Sequence, residues 1–458
     1  MAPPPPSSAA EVARQERMAM LRVAWLGLGF LALFTAFNVA QSYVTTLFPG
    51  LGFISLAVIY LFYIASSLGA PYLTQRVPLN LIFLIGAALY ALFILGMTWG
   101  TVPLFVCSAL VGLAAGGLWV HQGYYAATAS AAFGVPVGKL TSVFLAIYTV
   151  NMILGNGLSL ILLNAGTSVT TVLYVMAGIA GAGAVMLFFL PSPTPSTPAA
   201  GEAPSVVADP PAAPASFRSH LGRMARLSVT RPLRDALPLI LWNGSLTTLA
   251  FANYPRFIPA SAPVSLQPAM FLAYGATGTL LSPMWGRLFD ARGPGPLVVG
   301  VGVLGVASAA LTYACILTAD NDGPVNTALW VASLGVLGAL DNATNSLINF
   351  SLAAWFPSGD LVAPAFAVYR LTFCVGFIVL ALVSNAGAWQ IIVAVNHVLM
   401  LATLVVFGRR IWRGDDAPVV DESVQQDPSS SSSLPAAAAT GDSDVNTSGS
   451  DAELDSKR

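Results

Sequence analysis

Two charged side chains fall deep inside apolar stretches of this 458-residue chain: Asp341 within Ala328–Leu352 and Arg370 within Pro364–Val383. A charge at the centre of a lipid bilayer costs about 2.5–3.5 kcal/mol on insertion scales, and more by other estimates. Each therefore needs a partner or water. Counted at about 1.5 Å per residue from the cytoplasmic helix ends, Asp341 lies roughly 16 Å deep and Arg370 roughly 9–12 Å deep. The two stretches are consecutive and antiparallel, so an ion pair between them is geometrically open. Such a pair would either fix helix packing or couple and gate the movement of a solute or cation. Asp341, Asn345 and Asn349 follow an i, i+4, i+8 stripe down one helix face, with Asn342 beside it. Asn38 and Gln41 share a face at i, i+3; Trp119, His121, Gln122 and Tyr124 cluster in another stretch, and Asn243, Asn253 and Tyr254 in a third. Any one of these amides is explained by a hydrogen bond between helices. Taken together, they are better explained by a shared polar cavity that binds a small solute. Asn38, Gln41, Trp119, Gln122, Tyr124, Asn243 and Asn345 would line it, with Asp341 and Arg370 coupling or gating. His121 alone reads more readily as a packing residue than as a proton relay.

The elements that position these groups follow from composition. The chain is 56% hydrophobic and 9% charged, too few charges to coat a water-soluble surface. Its net charge of −1 averages polar ends over a neutral body and points to no nucleic-acid partner; the expected surroundings are a lipid bilayer. Stretches able to cross a hydrocarbon core of about 30 Å are Val23–Tyr43, Phe53–Tyr72, Leu79–Trp99, Pro103–Tyr125, Leu140–Leu163 and Val169–Leu190, then Ala236–Tyr254, Leu266–Trp285, Leu297–Leu317, Ala328–Leu352, Pro364–Val383 and Trp389–Phe407. The expectation is an all-α membrane protein with about twelve transmembrane helices in two six-helix halves, 23–190 and 236–408. A cytoplasmic linker, 191–235, would join them, flanked by a disordered N-terminus, 1–22, and a disordered acidic tail, 409–458.

Basic residues set the expected orientation. With the N-terminus in the cytoplasm, the inner segments collect Arg14, Arg17, Arg22, Arg76, Lys139, Arg218, Arg223, Arg226, Arg231, Arg234, Arg287, Arg292, Arg409, Arg410 and Arg413, while the outer loops collect Arg256 alone. Both termini are then cytoplasmic, and the Asn446-Thr447-Ser448 sequon lies where glycosylation does not reach. Cys107, Cys315 and Cys374 sit in apolar stretches without metal-like spacing and read as packing residues. No phosphate-binding loop, metal cluster or nucleophile–base arrangement stands out, so neither catalysis nor a cofactor is expected.

A long central loop between six and six helices resembles the major facilitator superfamily. Gly286, Arg287, Leu288, Asp290, Arg292 and Gly293 are similar to its Gly-x-Leu-x-Asp-x-x-Gly cytoplasmic loop motif; the equivalent first-half loop, Pro71 to Arg76, keeps Leu and Arg but lacks the Gly and Asp. A sharper resemblance is to the Unc-ninety-three-like, or ion channel regulatory protein, branch. It rests on Phe34-Thr35-Ala36-Phe37-Asn38 with Gln41, Leu51-Gly52 and Ser55-Leu56; on Trp119, Gln122, Gly123 and Tyr125; and on Gly155-Asn156. Late in the chain it rests on Gly338, Asp341, Asn345, Ala365-Phe366-Ala367, Tyr369-Arg370 and Gly376. The resemblance implies a facilitator fold with helices one, four, seven and ten lining a central cavity. It implies either a transporter of a small solute or a regulator and trafficking partner of a channel or receptor.

Overall fold

Inside hydrocarbon, backbone N–H and C=O groups can be satisfied only within their own segment, so each apolar stretch is expected to coil into helix. The computed structural model, which describes residues 9–73, 76–194, 217–319, 325–356, 359–386 and 389–414, is helical through most of each of them. The order is α1 (Ala9–Leu47), α2 (Gly52–Leu73), α3 (Leu79–Gly96), α4 (Thr101–Phe133), α5 (Val137–Tyr148), α6 (Asn151–Asn164) and α7 (Val169–Phe188), followed by a basic amphipathic α8 (Phe217–Ser228). Next come α9 (Arg231–Thr248), a π-helical turn Leu249–Asn253, α10 (Tyr254–Phe257), α11 (Leu266–Arg292), α12 (Gly295–Ala319), α13 (Thr327–Trp355), α14 (Gly359–Ala386) and α15 (Trp389–Trp412).

Among the described residues, nine helical segments are long and apolar enough to cross a bilayer, α5 and α6 counting as one. The chain is an integral, multi-pass membrane protein. The long helices outside those nine are α9, α11 and α13, which carry Asn243, Asp290 and Asp341. Two expected spans are interrupted. The stretch Leu140–Leu163 leaves the helical pattern at Thr149–Val150, and the stretch Ala236–Tyr254 widens into the π-helical turn.

Helix α1 packs on α5, α6 and α7, α2 on α4, and α3 on α4 and α7; α9 packs on α14, α15 and α13, and α11 on α13. The principal junctions between α1–α7 and α9–α15 are α2 with α14 and α6 with α11. Glycine sets how near several of these helices come. A Cβ at Gly244 or Gly376 would strike the backbone of Phe373 or Leu241 across the α9–α14 contact, and one at Gly338 would strike the Tyr274 backbone across α11–α13.

Residues 9–22, expected to lack structure, continue α1 as helix. Ion pairing anchors this extension, with Lys139 bonded to Glu16, while the Arg22 Nη1 donates to the carbonyls of Ser192 (2.5 Å) and Thr194 (2.6 Å). At the same end of the bundle, the Arg410 Nη1 lies 3.5 Å from the Asp235 Oδ2, and its guanidinium sits over the Trp355 ring at 4.8 Å. Arg410 is 4% and Asp235 18% exposed, against 51% and 34% for Lys139 and Glu16. Removing one partner of a buried pair costs far more than breaking an exposed one. Asp235→Ala is therefore expected to lower the melting temperature of the detergent-purified protein clearly more than Glu16→Ala. Equal shifts would show that the buried pair contributes no more to stability than the exposed one.

Candidate functional site

Asp341 is the fifteenth residue of the 29-residue α13, roughly 21 Å of helix from either end at 1.5 Å per residue. Its carboxylate faces protein. The Asn243 Nδ2 of α9 donates to Oδ1 at 3.1 Å, and the Tyr274 hydroxyl of α11 donates to Oδ2 at 2.8 Å. The glycine contacts explain why these groups meet. Gly338, one turn before Asp341, lets α13 close on the Tyr274 backbone, which brings that ring's hydroxyl within reach. Gly244 and Gly376 draw α9 and α14 together beside Asn243.

The network extends through Tyr369 of α14, whose hydroxyl lies 3.0 Å from the Asn345 Oδ1 and 3.5 Å from the Asn243 Oδ1. Asn345 and Asn349 turn their Nδ2 groups back onto the carbonyls of Asp341 and Asn345, at 2.9 and 2.7 Å. The polar stripe of α13 therefore serves both its own backbone and the neighbouring helices. A carboxylate in this setting is oriented, and its charge is spread over two donors.

Arg370 does not pair with Asp341, so the ion pair that the two adjacent stretches left geometrically open is not formed. Helix α14 packs chiefly on α9 and α2 rather than on α13. Successive helical residues also point about 100° apart, so Tyr369 faces the Asp341 network while Arg370 turns toward α1–α7. Its guanidinium lies 5.7 Å from the Trp119 ring centre and 5.0 Å from that of Tyr369. Tyr63, Tyr148 and Cys374 are near enough to act on it electrostatically.

The remaining expected site residues divide. Trp119 belongs to an aromatic wall with Phe34 (5.2 Å between ring centres) and Tyr148 (5.4 Å), and Phe34 also meets Tyr90 at 5.4 Å. Asn38 donates to the Asn151 Oδ1 at 2.6 Å, and Asn151 donates to the Tyr148 carbonyl, so the pair fastens α1 to the α5–α6 break. Gln41 is buried, close to Tyr60. Gln122 is half-buried, and among the described residues its amide has no hydrogen-bond partner. The Tyr124 ring is 48% exposed and stands apart from the aromatic wall. His121 is fully buried, its Nδ1 2.6 Å from the Gly117 carbonyl. At the end of α11, Gly293 takes φ 71°, a conformation open to glycine, and its N–H donates to the Phe289 carbonyl at 2.7 Å. Arg287, Asp290 and Arg292 are exposed there, close to the half-buried Gly286, and form no ion pair among the described residues. Thr74 and Gln75 of the first-half counterpart loop lie outside the described residues.

Reading the sequence missed Tyr274, Tyr369, Tyr148 and Asn151 as parts of the site. Their signal was a phenolic or amide group inside an apolar stretch, which needs a partner when buried.

A model of the family described as "Ion channel regulatory protein UNC-93" matches residues 45–408. The chain is 26% identical to "UNC93-like protein MFSD11" of Xenopus tropicalis over 429 residues, covering 83% of this chain and 94% of that protein. It is 26% identical to "UNC93-like protein 3" of Arabidopsis thaliana over 355 residues, covering 72% and 73%. Among solved structures, the D-xylose-proton symporter superposes with TM-score 0.62 at 14% identity, covering 85% of this chain and 97% of that one. The nucleoside transporter NupG superposes with TM-score 0.61 at 16% identity, covering 85% and 99%. These neighbours are major facilitator transporters, and at such identities the likeness is one of fold.

Proposed function

The chain belongs to the UNC-93 family, and on that premise we propose that it moves a small solute across the membrane by alternating access. In this reading twelve spans form two six-helix halves, 23–190 and 236–408, with both termini cytoplasmic. Helices α5 and α6 count as one span, and α9 with the π-helical turn and α10 as another. The observation that supports the reading most is the oriented carboxylate of Asp341 at the middle of α13, bonded by Asn243 and Tyr274. Ionisable groups at this depth are costly and mark solute or ion pathways. Interrupted spans support it too, since transporters line their sites with broken helices. The breaks at Thr149–Val150 and Leu249–Asn253 lie in such spans. Asn38, Gln41, Trp119, Gln122, Tyr124, Asn243 and Asn345 are the proposed cavity residues, Asp341 is the coupling group, and Gly286 to Gly293 form the loop where the halves slide.

The family description favours a second reading, a membrane partner that escorts or tunes a channel or receptor without carrying anything itself. Full-length protein in sealed vesicles, offered pooled metabolites and analysed by mass spectrometry, is expected to accumulate a defined solute class above protein-free vesicles. No uptake, together with stoichiometric recovery of a channel or receptor from native membranes, would replace the transporter reading with the second.

A further inference from the structure

Among the described residues, Arg370 has no carboxylate partner within ion-pair distance. Asp341 is occupied by Asn243 and Tyr274, and among the described residues no carboxylate or carbonyl accepts a hydrogen bond from the Arg370 guanidinium. Its surroundings include the rings of Trp119 and Tyr369, with Tyr63, Tyr148 and Cys374 near enough to act on it electrostatically. Aromatic faces attract a cation, but they leave its N–H donors unfilled, and the planar fork of those donors matches a carboxylate with two parallel bonds. Arg370 is a partly exposed residue in an otherwise buried part of the bundle. It also looks across the junction between the two groups of helices. Arg370 belongs to α14, whereas Tyr63, Trp119 and Tyr148 belong to α2, α4 and α5.

Resting on the transporter reading, we propose that the solute is an organic anion. Arg370 takes its carboxylate, and the aromatic wall of Phe34, Trp119 and Tyr148 takes its apolar body. Tyr369 separates this positive site from the carboxylate of Asp341, its ring under Arg370 and its hydroxyl in the Asp341 network. An anion held here bridges both groups of helices and neutralises the uncompensated charge. A neutral solute of the same shape would leave that charge uncovered.

The test uses the full chain in phosphatidylcholine nanodiscs, with melting temperature read against benzoate and hexanoate and against benzamide and hexanamide. The carboxylates are expected to stabilise the protein and the amides to do so at least tenfold more weakly in concentration. Arg370→Gln is expected to abolish the carboxylate effect, and Arg370→Lys to retain part of it. Equal effects of acids and amides would overturn the proposal, as would an undiminished carboxylate effect in Arg370→Gln. Stabilisation by added phosphatidylglycerol but by neither carboxylate would overturn it as well, assigning the site to a lipid headgroup. If Arg370→Gln fails to fold, the acid–amide comparison on the unaltered protein decides. Vesicle uptake of a neutral solute that persists in Arg370→Gln would overturn the anion assignment and leave transport standing. Carboxylate binding in nanodiscs without any vesicle uptake would do the reverse.

Discussion

Asp341→Asn is expected to cut solute uptake in vesicles at least tenfold while the protein still reaches the membrane in normal amounts. The substitution keeps the volume of the side chain and an oxygen able to accept from Asn243 or Tyr274. What it removes is the charge. Tenfold corresponds to about 1.4 kcal/mol of barrier, a modest demand on a carboxylate that α13 carries at mid-membrane. The same change is expected to leave the melting temperature close to that of the unaltered protein, because burying a neutral amide costs less than burying an ion. Uptake at the original rate in this variant would remove Asp341 from the transport cycle.

Gly376→Leu is expected to eliminate folded protein from the membrane, measured as loss of the monodisperse peak in detergent chromatography. The atoms facing this glycine are the Leu241 carbonyl and Cα, which are backbone and cannot swing aside. The α9–α14 contact also positions Tyr369 beside Asn243, so separating the helices dismantles the polar network along with the packing. Overfilling a tight core costs about 1–3 kcal/mol even where side chains can adjust, and here they are not what stands in the way. Gly178→Leu is the matched control. Gly178 is exposed with open space around it, and the variant should behave as the parent. Normal recovery of Gly376→Leu would mean that α9 and α14 can repack at a larger spacing.

The fold was legible wherever hydropathy carries the information. The apolar stretches are helical over most of their length because a lone segment in the bilayer satisfies its backbone groups by coiling. The polar stripe of α13 was legible for the same reason, since amides at i, i+4, i+8 are wasted on lipid. Asp341 and Arg370 were found by type and depth, but their relation was not, because sequence adjacency of α13 and α14 does not make them neighbours in space. Glycine shows the same limit at finer scale. Gly112, Gly116 and Gly183 face close backbone or side-chain neighbours, whereas Gly117, Gly178 and Gly181 face open space, although all six sit in similar apolar stretches. The hydroxyls of Tyr274 and Tyr369 were passed over because a tyrosine in an apolar stretch looks like bulk until its partner is known. Breaks inside the spans at Thr149–Val150 and Leu249–Asn253 left no proline or charge at those positions to announce them.

The hydrogen bonds made by described residues between α1–α7 and α9–α15 fall mostly at one end. The Gln267 Nε2 donates to the carbonyl and hydroxyl oxygens of Ser42 (3.0 and 3.2 Å), Thr45 donates to the Ala252 carbonyl (2.8 Å), and Thr46 lies 3.5 Å from the Gln267 Oε1. The other, from Thr279 to the Thr149 carbonyl, lies deeper, at the break between α5 and α6. Each such bond is worth about 0.5–1.5 kcal/mol net, so this latch is only a few kcal/mol strong. In the transporter reading, these hydrogen bonds add only a few kcal/mol to the helix packing that a ligand preferring an open arrangement must outweigh.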